Sequence, residues 1–238
     1  MDKSPVESPS QSDRESAEAM LSADTPNGTS AGGIDIPVRS EEDALEIQAQ
    51  GMRASVYELL ASLLVAAPDQ GLIDALAGLN DVEGGSSEIE MGWALLKKAA
   101  EKSSLEEIED EYFTLFIGLG RGQLVPHGSW YMTGFLMEKP VAVLRKDLRV
   151  LGIIREDGVK KSEDHIAALC NAMALLIRNP DDISFEQQRQ FYNDHLAPWV
   201  GTLFADMQQA EAAHFYRAVG FFGESIFKFE TEYFSMQV

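Results

Sequence analysis

Ser162-Glu163-Asp164-His165-Ile166-Ala167-Ala168-Leu169-Cys170-Asn171-Ala172-Met173-Ala174-Leu175-Leu176-Ile177-Arg178-Asn179-Pro180 decides the fold class. Ile166, Leu169, Cys170, Met173, Leu176 and Ile177 recur at intervals of three and four, so they line one face of a helix. Ser162 stands at the cap position, and Pro180 cannot continue the run. The same grammar extends in both directions. Upstream, Ser40 with Asp43 opens a run carrying Met52, Val56, Leu59, Leu60, Leu63 and Leu64, stopped by Pro68. Leu72, Ile73, Leu76 and Leu79 make a short helix. Ser87 with Glu90 and Ser104 with Glu107 are capping boxes for two more. The second of these turns Leu105, Ile108, Tyr112 and Leu115 inward and spreads acids over residues 106–111.

Gly118-Leu119-Gly120-Arg121-Gly122 predicts a loop, and a helix resumes after Ser129. Pro140 in a first turn and Gly152 at an end bracket another, with Val141, Leu144, Leu148 and Leu151 between them. Downstream, Ser184 caps a helix through Phe191 and Tyr192, and a last run extends from Trp199 to about Phe229. No alternating β segment and no internal repeat interrupts this pattern. The chain therefore predicts one all-α domain over 41–238, a bundle of about nine to ten helices. Residues 1–40 hold eight Ser, four Pro, three Gly and no aromatic residue, and read as a disordered acidic tail.

The 238 residues carry 39 acids and 19 bases, a net charge of −20. Removing the tail's seven acids and three bases leaves about −16 on the domain. A nucleic-acid binder needs a basic footprint, and an anionic leaflet repels such a surface. A basic partner is attracted instead. The single cysteine, Cys170, permits no intrachain disulfide and no cysteine cluster. No apolar run spans a membrane, and the first residues lack the pattern of a signal peptide. A soluble, cytoplasmic protein is the expectation.

Catalytic signatures are sparse. Glu211-Ala-Ala-His214 is one copy of the Glu-x-x-His unit that di-iron bundles use twice, and no second copy exists. Ser129, in Gly128-Ser129-Trp130-Tyr131, lacks the second glycine of a nucleophile elbow. Cys170 lies on an apolar stripe, where a small buried hydrophobe is expected rather than a reactive thiolate. The glycine loop has no following Lys-Ser or Lys-Thr to cradle phosphate. It is either a plain turn or a place where backbone approaches a ligand. Two segments hold more than core residues. Pro126-His127-Gly128-Ser129-Trp130-Tyr131 puts two large aromatics just after the flexible loop, as a peptide groove or as core. Glu163-Asp164-His165 sets two acids and an imidazole in one turn, as capping or as a recognition site built on a neutral imidazole held by a carboxylate.

Read in order with their neighbours, these segments resemble the TorD/DmsD-type family of redox-enzyme maturation chaperones. Met52 through Leu60 resembles the family's first helix. Glu111-Tyr112-Phe113-Thr114-Leu115-Phe116-Ile117-Gly118 resembles its aromatic-x-x-Leu-Phe-x-Gly motif, and Pro126 through Tyr131 its Pro-x-x-Ser-x-Tyr segment. Glu163-Asp164-His165 resembles its Glu-x-Asp-His signature, and His195-Leu196-Ala197-Pro198-Trp199 its His-Leu-x-Pro-Trp box. The resemblance implies a TorD-like fold and a chaperone rather than an enzyme. Its implied partners are the twin-arginine leader and the apo-form of a molybdoenzyme catalytic subunit, held until cofactor insertion. It implies no nucleic acid, no stable membrane insertion, and a monomer, with a domain-swapped dimer as the alternative. It implies no resident cofactor, with guanine nucleotide or a transient contact with the molybdenum cofactor as lesser alternatives. The residues it points to for peptide binding are Tyr57, Tyr112, Phe116, Gly118, Pro126, Ser129, Trp130, Tyr131, Glu163, Asp164 and His165. On this reading Tyr112, Phe116, Trp130 and Tyr131 line a groove, with Asp164 and His165 as polar selectors at one end. A helical scaffold for another basic or amphipathic segment, or a helical metal enzyme, are the competing classes.

Overall fold

A computed structural model describes residues 40–80, 87–155 and 161–236. The tail expected over 1–40 lies outside the described residues except for Ser40, which caps the first described helix. Among the described residues ten α-helices follow one another: α1 Glu41–Val65, α2 Gln70–Ala77, α3 Glu88–Lys102, α4 Leu105–Tyr112, α5 Gly128–Thr133, α6 Lys139–Val150, α7 Ile166–Arg178, α8 Phe185–His195, α9 Val200–Gln209 and α10 Phe215–Met236. No strand forms among the described residues. A lone antiparallel bridge joins His127 to His165. The fold is the all-α bundle that the periodicity predicts.

Local chemistry sets the boundaries. Ser40/Asp43, Ser87/Glu90, Ser104/Glu107 and Ser184/Gln187 each close a reciprocal capping box. Pro140 occupies the first turn of α6, and Gly152 beyond its end adopts φ +75. α7 lies at the centre, against α1 and α8, while α10 packs on α9 and α3. Their inward faces, from Leu60 and Leu64 through Met173, Phe204 and Phe222, make one continuous core.

Three local expectations change. Ser162 does not cap α7. His165 does, and its ring nitrogen takes the Ala167 N–H at 3.1 Å. The run from Trp199 to Phe229 is two helices. Glu111, brought in from the end of α4, accepts the N–H groups of His214, Phe215 and Tyr216 at 2.8, 2.9 and 2.6 Å. That carboxylate satisfies three orphan amides at once, so a new helix starts there and reaches Met236. Finally, Phe113–Ile117 continues α4 as a single π turn, closed by Gly118 N–H to the Phe113 carbonyl at 2.7 Å.

The glycine loop folds back on itself. Gly118 sits at φ +61, and a Cβ there would strike the Arg121 carbonyl. A Cβ on Gly122 would strike the Leu115 carbonyl. The close backbone approach is therefore made within the chain, by the turn itself.

Candidate functional site

Residues 126–129 run alongside residues 164–166. Gly128 N–H donates to the Asp164 carbonyl at 2.9 Å, and Ile166 N–H to the Pro126 carbonyl at 2.9 Å. This pairing carries Asp164 under the first turn of α5. One carboxylate oxygen accepts the Ser129 N–H at 2.9 Å and the Ser129 hydroxyl at 2.5 Å. The other faces His127 Nδ1 at 3.3 Å. Ser129 Oγ accepts in turn from the Met137 N–H at 3.2 Å, which ties down the α5–α6 turn. Met137 holds φ +60 there, a conformation that L side chains seldom adopt.

Charge in this cluster follows from burial and bonding. Burial alone would raise the Asp164 carboxyl, but the bonds from His127 and Ser129 outweigh it and hold it well below the usual carboxylate range. Burial, with Lys161 and His127 close by, lowers His165 to about 3, so the imidazole is neutral. Its Nδ1 is then free to accept the α7 cap bond, and its ring meets that of His127 edge-on at 5.0 Å. The neutral imidazole anticipated for the segment is present, yet the carboxylate binds His127, not His165.

The late box completes the site. Trp199 Nε1 donates to the His195 carbonyl at 2.7 Å. His195 Nε2 reaches Asp147 of α6 at 3.0 Å. Burial lowers the His195 pKa, and the Asp147 bond offsets this only in part. The Trp199 indole lies so close to Gly128 that a Cβ there would come within 3.0 Å of Nε1. Three segments remote in sequence, 126–131, 163–165 and 195–199, thus converge around one cleft of about 450 Å³. Met132, Pro140, Val143, Leu144 and Leu169 give it apolar walls, and Asp164, Asp194, His195 and Lys139 add polar groups.

The residues singled out from sequence divide accordingly. Pro126, Ser129, Glu163, Asp164 and His165 come together at this cluster, and Ser129 and Asp164 line the cleft. Glu163 is clasped by Arg145 at 3.0 and 2.8 Å and approached by Arg155 at 3.5 Å. Tyr57 is fully buried and donates to Glu230 at 2.8 Å. Tyr112 and Phe116 pack with Tyr216 in an aromatic cluster, and the Tyr112 hydroxyl bonds the Val65 carbonyl at 3.1 Å. Trp130 lies under the Arg121 guanidinium at 4.7 Å, and Tyr131 stacks on Trp199 at 5.6 Å. None of Tyr112, Phe116, Trp130 and Tyr131 lines this cleft. Gly118 shapes its own turn. His127, Met132, Val143, Asp194 and His195 belong to the site without having been singled out for it. The motif segments held the signal for His127 and His195, while nothing local marks the others.

Among the described residues no three His, Cys, Asp or Glu side chains gather as a metal site, and no helix is long and apolar enough to cross a membrane. Burial pushes the Cys170 thiol far up, as befits a core residue.

The family model described as nitrate reductase delta subunit matches residues 83–205. A protein named chaperone protein TorD from Vibrio cholerae serotype O1 is 25% identical over 153 residues, 60% of this chain and 70% of the relative. Another of that name, from Vibrio atlanticus, is 24% identical over 201 residues, 76% of this chain and 94% of the relative. A crystal structure of a protein assigned as a redox enzyme maturation protein, from Archaeoglobus fulgidus, superposes with a TM-score of 0.47 at 18% identity, covering 76% of this chain and 94% of that one.

Proposed function

This chain belongs to the nitrate reductase delta subunit family, and from that premise we propose that it is a cytoplasmic maturation chaperone for a molybdenum-containing redox enzyme. Relatives named as TorD chaperones support the role, which is non-catalytic. Within it, the cleft between α5, α6, α7 and α8 binds the twin-arginine leader of the client's catalytic subunit, delaying export until the cofactor is in place. The observation that carries this reading is the convergence of three remote motif segments on a cleft with apolar walls and a carboxylate in its floor.

The chemistry of the two partners is complementary. A twin-arginine leader is basic in front and apolar behind. Met132, Pro140, Val143 and Leu144 suit the apolar part, which can enter as a short helix. Asp164 stays ionised, and its oxygen facing His127 has a long bond of 3.3 Å, leaving capacity for a guanidinium. The net charge of −20 raises the encounter rate with a cationic segment.

Calorimetry with a twin-arginine leader peptide and a Lys-Lys control tests the proposal. Asp164→Asn keeps the side-chain shape and removes the charge, and Met132→Lys places a cation on the apolar wall. Each is expected to weaken leader binding by about tenfold or more, roughly 1.4 kcal/mol, with helicity unchanged. Equal affinity for the two leaders would reassign the cleft to some other amphipathic segment. Undiminished affinity in both variants would move leader binding out of the cleft.

A further inference from the structure

Seven methionines stand among the described residues. Met173 and Met207 are wholly buried in the core, while Met52, Met91, Met132, Met137 and Met236 are exposed. Of the seven, Met132 lines the cleft and the others do not. It lies one helical turn after Gly128 on α5, so both face the same opening. Met132 is 43% exposed, and its wall continues through Val143 and Leu144 of α6 and Leu169 of α7. A thioether suits such a wall. It is unbranched and polarizable, so it adapts to apolar side chains of differing shape.

The same sulfur is open to oxidation. Its lone pair attacks one oxygen of a peroxide. The S–O bond forms as the O–O bond breaks, the sulfur gives up two electrons, and the second oxygen leaves as water with both protons. The product is a sulfoxide, polar and chiral, which sulfoxide reductases return to the thioether. While the cleft is empty, water satisfies the new oxygen. Once an apolar segment covers it, the oxygen becomes a buried acceptor to which that segment offers no donor. The cost therefore falls on the complex and not on the free protein. Met91 supplies the contrast, because it is also 43% exposed but stands on α3, outside the cleft.

We propose that Met132 is a peroxide-oxidation site that regulates the cleft: its conversion to the sulfoxide weakens leader binding, and reduction restores it. This rests on the reading of the cleft as the leader site.

Calorimetry on the full chain tests it, with a methionine-free twin-arginine leader peptide added before treatment or after hydrogen peroxide has acted and been removed. Peptide mass spectrometry reads the sulfoxide at each methionine, and circular dichroism controls for the fold. Peroxide is expected to oxidise Met132 and Met91, to spare Met173 and Met207, and to weaken leader binding at least about tenfold. Methionine sulfoxide reductases specific for the two epimers should together restore the affinity. Met91→Leu should lose affinity on oxidation as the wild type does. Met132→Leu, whatever its starting affinity, should keep it through the treatment. Met132→Gln, polar at the same place and inert to peroxide, should bind as weakly as the oxidised wild type. An untreated wild type that binds no leader overturns the reading of the cleft, and this inference with it. A wild type that binds leader equally before and after Met132 is oxidised overturns the inference alone. So does a Met132 that stays intact while Met91 reacts, or a Met132→Leu that loses affinity on treatment as the wild type does.

Discussion

His165 shows how one side chain couples the site to solution conditions. In the unfolded chain its imidazole takes a proton near pH 6.5, and in the folded protein only near 3. The folded state thus gains full stability from the neutral ring above pH 6.5. That contribution falls as the pH drops from 6.5 toward 3, by about 1.4 kcal/mol per pH unit for one such group. His195, also lowered by burial, titrates in the same direction. Asp164 acts further down. Its depressed pKa contributes stability above the ordinary value of 3.8, which is lost as the pH falls below it. Urea denaturation at steps between pH 7 and 4 is expected to show a falling stability. His165→Asn should flatten that slope, because an amide oxygen can cap α7 without taking a proton. An unchanged slope in the variant would assign the proton uptake to His195 instead.

At the scale of elements, α10 depends on a residue 103 positions before its first bonded amide. Glu111 is buried, and its carboxylate stands in for the missing preceding turn of α10. Glu111→Ala leaves three amides without acceptors, and the expected loss is about 2–4 kcal/mol in a denaturation midpoint measurement. Glu111→Gln keeps an acceptor oxygen and should lose less. This device explains why the break between α9 and α10 was not legible. Nothing near residues 210–214 announces it, since the capping group comes from α4. The helices that carry their own caps, such as α3 with Ser87 and Glu90, could be read directly. The same distinction runs through the site. Asp164 and Ser129 stand out as polar residues in compact motifs. Met132, Val143 and Asp194 look like any surface residue until α5, α6 and α8 are brought side by side. The four aromatics read as one groove wall are instead dispersed, because Tyr112 and Phe116 belong to the α4–α10 packing and Tyr131 to Trp199.

At the scale of the molecule, α1 and α10 are locked by a charge pair inside the protein. The Arg53 guanidinium meets both oxygens of Glu230, at 2.7 and 2.6 Å. It lies over the rings of Tyr233 and Phe234, while Tyr57 bonds the same carboxylate. Removing one member of a buried pair strands the other charge. A chain ended after Phe229 is therefore expected to lose its cooperative urea transition, measured by circular dichroism, although the segments that form the cleft are all present. The lock also has a consequence in time. Arg53 and Glu230 are separated by 177 residues. At a synthesis rate of about 5–20 residues per second, Arg53 waits on the order of ten to thirty seconds for its partner to be made. Through that interval the nascent α1 lacks the carboxylate that meets Arg53 in the folded bundle, so the bundle can close around Arg53 only once α10 has been made.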